Sequence, residues 1–186
     1  MNVSFTVHGV PVPQGSKRAL VHRSTGRAVV IEQGGARHRD WRADVKAAAA
    51  DAMDSARKIV PLWGPVGVSI CFTMPKPKSA PKTTRTWPDR RPDWDKLIRT
   101  VLDAITGEII ADDAQVVGGI PTLTYPGEPD MFGRLGLDRP GVVVEVWQIT
   151  EDYNGPYALC SNAVSTATDE ELGAFDMAPG HGGWGG

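Results

Sequence analysis

Hydrophobic and polar positions alternate from the second residue onward. Val3, Phe5 and Val7 interleave with Asn2, Ser4, Thr6 and His8, which predicts a half-buried strand over 2–8. The same period recurs where Val66, Val68, Ile70 and Phe72 alternate with Gly67, Ser69 and Cys71. A further strand is predicted over 114–125, with Gly118-Gly119 marking a bulge or a close backbone approach. The last, 141–149, opens on a nearly unbroken apolar run, so burial on both faces is expected. Two segments switch to the helical period. Over 37–58, without Pro or Gly, Trp41, Val45, Ala48, Ala49, Ala52, Met53 and Ala56 share one side. Arg37, Arg39, Arg42 and Lys46 cluster in its first half and are read as facing water, and His38 reads as a surface histidine. In the second helix Leu97, Val101, Leu102 and Ile105 stand at i, i+4, i+5 and i+8.

Between these elements, Gly9 to Arg18 breaks regular structure through Pro11, Pro13 and Gly15, and 19–31, centred on Gly26, predicts a small hairpin of open register. Residues 75–92 hold five prolines, six basic residues and Trp87, which excludes helix and central strand. Residues 127–140 read as a polar loop. The predicted class is α/β (α+β): a mixed sheet of four to five strands packed with two main helices.

At 186 residues and 41% hydrophobic side chains, the chain can bury one core, assigned to a single domain over 1–149. Residues 150–186 read as an acidic, Gly-rich, disordered tail. Cys71 and Cys160 offer neither zinc spacing nor a disulfide framework, and no apolar run approaches the ~20 residues of a membrane span. A cytoplasmic location with no membrane partner is expected.

A net charge of −2 argues against a nucleic-acid partner until its distribution is read. The tail holds six acids and no Lys or Arg, so all twenty basic residues lie in 1–149 against sixteen acids, a net +4. Over 75–99, Lys76, Lys78, Lys82, Arg85, Arg90, Arg91, Lys96 and Arg99 face only Asp89, Asp93 and Asp95. That excess attracts phosphate or is simply a solvated loop. Trp87 within it either stacks on an unpaired base or packs on its own domain.

Five aspartates fall within 93–113. Asp93 and Asp95 precede the apolar face of the second helix, where unpaired N–H groups favour negative charge, so capping accounts for one of them. It does not account for Asp112-Asp113, which follow the Gly107 stop. Four carboxylates at the ends of neighbouring elements suggest a site for a hard divalent cation.

Pro92-Asp93-Trp94-Asp95-Lys96-Leu97, then Asp103-Ala104-Ile105-Thr106-Gly107, then Asp112-Asp113-Ala114-Gln115-Val116 resembles the RusA family of Holliday junction resolvases, common in phages and prophages, with similarity running from the first strand to about Trp147. The resemblance implies a homodimeric, Mg²⁺-dependent endonuclease (Mn²⁺ being an alternative ion) that resolves branched four-way DNA by paired nicks, in recombination and repair, inside a bacterial host cell. It implies Asp93, Asp95 and Asp113 as the catalytic, metal-binding carboxylates, with Asp112 assisting. Arg99 falls where studied members carry a catalytically important lysine; arginine keeps the charge but not the ability to lose a proton. Lys17 and Arg18, after a Gly-x-Pro-x-Pro-x-Gly opening typical of phage members, join Lys76, Lys78, Lys82, Arg85, Arg90, Arg91 and Lys96 as DNA-contacting candidates. Two rival readings stand beside this one: a branched-DNA-binding protein without catalysis, and an Asp-x-Asp nucleotide-sugar transferase, for which the chain is short and lacks a nucleotide-binding half. The four histidines, 8, 22, 38 and 181, are too scattered for a nucleophilic triad.

Overall fold

The computed structural model describes residues 2–15, 17–21, 24–26, 28–32, 35–57, 61–81 and 83–151, and all that follows concerns these. The elements in order are β1 (Asn2–His8), β2 (Lys17–Val21), β3 (Ala28–Glu32), α1 (Gly35–Ser55), β4 (Val66–Thr73), α2 (Trp94–Ile105), a 3₁₀ turn (Asp113–Gln115), β5 (Val116–Thr124) and β6 (Gly141–Gln148). The chain divides into Met1–Ile149 and Thr150–Gly186. The predicted tail lies, from residue 152 on, outside the described residues.

Four strands form one mixed sheet in the order β1-β6-β4-β5, with β6 antiparallel to both neighbours and β4 parallel to β5. A parallel pair needs a crossover connection, and here α2 supplies it. The predicted hairpin exists as β2–β3, in which Lys17 faces Glu32 and Val21 faces Ala28.

Each element follows its pattern. In β1 the odd residues are buried and the even ones exposed. β4 is central, and every residue from Val66 to Thr73 is buried. β6 is buried at its apolar start, where Gly141, Val142 and Val144 are buried and Val143 is half-buried, and it opens to solvent from Glu145 on, where the alternate residues Glu145 and Trp147 leave the core face. Of the two glycine readings for β5, the close approach holds at Gly119, while the bulge falls one residue before the glycines. Val66 pairs with Val116 but Gly67 with Gly118, which leaves Val117 bulged out and exposed. A Cβ at Gly119 would sit 2.7 Å from the Val68 carbonyl oxygen, so a side chain there would push β5 off β4.

Both helices cover one face of the sheet. From α1 come Trp41, Val45, Ala49 and Met53, and from α2 Leu97, Val101, Ala104 and Ile105, all packed with Val3, Phe5, Ile70, Phe72 and Val144. A fully buried Leu or Val contributes about 1.5–3 kcal/mol. The helices run side by side in the same direction. His38 meets Thr100, the Arg42 guanidinium donates to the Asp103 carbonyl at 3.1 Å, and Lys46 pairs with Glu108 at 3.2 Å. His38 is therefore buried between the helices, not on the surface. The Arg42 and Lys46 heads serve the helix pair instead of facing only water.

The other sheet face is partly covered by the 125–140 loop, tied down by one buried carboxylate. Asp130 accepts from Thr122 Oγ1 (2.8 Å), the Phe132 and Arg134 N–H groups (2.9 Å each) and Arg134 Nε (2.7 Å). Arg134 also donates to Ser69 Oγ on β4 and to Thr122 Oγ1 on β5. Burial alone would raise the Asp130 pKa, but these hydrogen bonds outweigh it and hold the carboxyl below its ordinary value.

Candidate active site

Asp93 occupies the N-cap position of α2, yet its side chain makes no capping hydrogen bond. Its carboxylate turns instead to Lys96, with Oδ2 2.7 Å from Nζ. That hydrogen bond and the Lys96 charge, with a smaller contribution from Arg91, hold the Asp93 carboxyl below the usual carboxylate range. Asp95 and Arg99, one turn apart, are both exposed. Trp94, between the aspartates, donates its indole N–H to the Pro121 carbonyl at 3.3 Å, which fixes the start of α2 against β5. From the other side, the Gln14 N–H donates to the Lys96 carbonyl and the Gln14 side-chain amide to Asp103 Oδ2 at 2.8 Å. Asp103, the fifth aspartate of the cluster, is thus taken up in holding the Pro-rich opening loop onto α2.

The second carboxylate pair sits on a rigid turn. Asp112 Oδ1 accepts from the Ala114 N–H at 2.8 Å, capping the 3₁₀ turn, and the Gln115 side chain reciprocates by accepting from the Asp112 N–H at 2.9 Å. Gln115 also donates to the Leu62 and Gly64 carbonyls, which anchors the turn to the chain entering β4. Asp113 is left exposed. The sequence pattern contained Gln115, but its role needed the fold, because its partners lie some fifty positions earlier in the chain.

The two pairs stand at opposite ends of α2. The start of the helix meets β5 at Pro121, whereas the 3₁₀ turn precedes β5 near the residues that follow the helix end, where Thr106 and Leu62 bridge to Ile110. Twelve helical residues at about 1.5 Å each span about 18 Å. Among the described residues, no group of three or more His, Cys, Asp or Glu side chains stands close enough to hold a metal ion. The four candidate carboxylates are therefore not brought together at one point within one chain.

The basic candidates divide. Lys78, Arg90 and Arg91 are exposed. Lys76 pairs with Glu128 at 2.6 Å, its ammonium 5.7 Å from the centre of the Tyr125 ring. Arg85 donates to the Pro129 carbonyl at 2.6 Å and lies 4.0 Å over the Trp87 ring, so one face of Trp87 is already covered. Lys76 and Arg85 thereby join the 75–92 segment to the 125–140 loop. Lys17 and Arg18 belong to β2, with side chains outside the described residues, as is Lys82 altogether.

Beside Asp93 a cavity of about 380 Å³ opens between the Pro-rich loop, the ends of β4 and β5, and the first turn of α1. Sequence reading missed it because its walls come from five separated segments.

No curated protein matches the chain significantly. Residues 9–146, which run from the end of β1 into β6 and include all four candidate carboxylates, match the sequence family described as endodeoxyribonuclease RusA. The chain belongs to the RusA endodeoxyribonuclease family.

Proposed function

We propose that the protein is a divalent-cation-dependent endonuclease that resolves four-way DNA junctions by paired nicks, working as a homodimer in which the two carboxylate pairs of each site come from different copies. The observation that carries this reading is the placement of Asp93 and Asp95 at one end of α2 and Asp113 at the other, all exposed. Exposed carboxylates are the donors that Mg²⁺ takes, so the chemistry of the set fits the ion, while its spacing along one chain does not. A two-fold axis beside α2 that carries the start of one helix to the end of the other supplies the missing partner, and does so twice. It also repeats the site by the rotation that relates two equivalent strands of a junction.

In this reading Asp93, Asp95 and Asp113 hold the cation, with the free oxygen of Asp112 beside them. When bound, the cation supplies an activated water and neutralises charge on the phosphate. Hydrolysis joins the water oxygen to phosphorus and releases one sugar oxygen. Arg99, exposed one turn after Asp95, is placed to meet the charge that builds on the phosphate oxygens. It cannot serve as a base, since its guanidinium does not give up a proton. Lys96 holds Asp93 ionised and ready to exchange the ammonium for the cation. Exposed Lys78, Arg90 and Arg91 contact the flanking phosphates.

The deciding experiment compares a synthetic four-way junction with the matched linear duplex, in Mg²⁺ or in EDTA. Symmetric nicks in the junction with Mg²⁺ alone are expected; junction binding without nicking in any divalent cation would leave only the non-catalytic binding protein.

A further inference from the structure

The cavity beside Asp93 has none of the candidate carboxylates among its lining residues. Its floor is apolar, formed by Val12, Met74, Leu123 and the ring of Tyr125, and prolines supply much of the remaining wall. The charged groups on its rim are Arg37, Arg90 and Arg91, with no acid among the lining residues. At about 380 Å³ it falls within the range of small-molecule pockets. Pro92 lines it, and the next residue along the chain is Asp93, the first of the candidate carboxylates.

A mainly apolar cavity whose only charged lining groups are cationic suits a ligand that is apolar on its faces and anionic at its edge. A nucleotide has that form: a base to lie against the prolines and the apolar lining, and a phosphate for the arginines. Paired bases within a duplex cannot enter such a cavity, whereas a base at a branch point has already lost part of its stacking and costs less to turn out.

Resting on the nuclease reading above, we propose that this cavity takes one unpaired nucleobase of the branched DNA, next to the phosphate that is cut, and so favours junctions over linear duplex. Arg90 and Arg91 hold the phosphate of the same nucleotide.

The test uses the full chain and a synthetic four-way junction carrying a single abasic nucleotide, moved position by position across the cut site. Removing the base that fills the cavity is expected to raise Kd about tenfold at one position in each cut strand, a typical loss for one stacked base. Val10→Trp and Pro77→Trp, two exposed wall residues outside the core, place an indole in the cavity from different segments. Each should weaken binding of the intact junction by a similar factor and erase the sensitivity to the abasic position. The abasic scan with the unaltered protein stands even if a variant fails to fold. An abasic nucleotide without effect at every position, or an effect that persists unchanged in a folded variant, would overturn the assignment. Nicking in Mg²⁺, followed on the same junctions, separates the two readings: nicking without base sensitivity removes the cavity proposal alone, and base-sensitive binding without nicking removes the nuclease alone.

Discussion

Lys96 Nζ lies 2.7 Å from Asp93 Oδ2, an ion pair on the outer edge of α2 between a residue expected to hold a cation and one expected to hold DNA. The pair places both functions on one turn of helix. On the proposed reading, a cation that binds Asp93 would have to displace this ammonium. Lys96→Met should therefore change the concentration of Mg²⁺ needed for half-maximal nicking by several-fold while leaving the nick position unchanged. A Mg²⁺ titration of the variant with saturating junction checks this; an unchanged requirement would show that the ion pair does not compete with the cation.

Asp93→Asn, Asp95→Asn and Asp113→Asn should each lower nicking at least about a hundredfold, the scale of a lost electrostatic group in an active site, with junction binding kept or slightly tightened because less negative charge faces phosphate. All three are exposed, so their melting temperatures should stay near that of the parent protein. Near-parental nicking by any one variant would remove that residue from the site.

Mixing inactive variants tests whether a site draws on two copies. In an exchanged dimer of Asp95→Asn with Asp113→Asn, one of the two shared sites has every carboxylate intact, so the mixture should recover nicking of one strand per junction. If each site lay within a single chain, every site in the mixed dimer would keep one lesion, and the mixture would be as inactive as its components.

The exposed and the engaged basic residues should separate in a salt titration. Replacing Lys78, Arg90 and Arg91 with alanine should reduce the slope of log K against log salt by roughly 0.9 for each phosphate that is no longer neutralised. Lys76→Ala and Arg85→Ala should barely change the slope. Their expected effect is a lower melting temperature, since they tie the Pro-rich segment to Glu128 and Pro129.

Asp130→Ala should be the most destabilising of the loop substitutions. It leaves the Arg134 guanidinium and two N–H groups without their acceptor, a loss of about 3–5 kcal/mol by the standard of broken buried ion pairs. Because the folded state lowers the Asp130 pKa, its contribution to stability is fully present above the unfolded value near 3.9, and disappears as pH falls through the lower folded value. Thermal unfolding of parent and variant from pH 7 downward should converge in acid. A constant difference across that range would show that the carboxylate is not what holds the loop.

The strands and the helical faces were legible in the sequence because each is a local periodicity: Val3, Phe5 and Val7, or Leu97, Val101 and Ile105, declare their burial without reference to the rest of the chain. His38 did not, since its burial is set by Thr100 on another helix. Asp130 looked like one more polar loop residue, because nothing nearby in sequence announces Ser69 or Thr122. Lys76 and Arg85 looked free for DNA because their partners come from a loop more than forty residues later. The carboxylates are the most instructive case. Their order along the chain is plain, but their separation depends on β5 running parallel to β4, which reverses the chain after α2 and leaves Asp113 at the far end of the helix.

The parallel course of α1 and α2 carries a further consequence for how the protein meets DNA. Arg37 in the first turn of α1 and Pro92 just ahead of α2 border the same cavity, so both helices present their amide-rich ends to that side of the molecule. Two aligned helix fields add to the charges of Arg37, Arg90 and Arg91, against the exposed carboxylates of Asp93 and Asp95 at the same helix start, so this side is less acidic than the net charge of −2 suggests. Diffusing toward a polyanion, such a molecule is turned before it touches, and its association rate should fall with ionic strength far more steeply than its net charge would suggest.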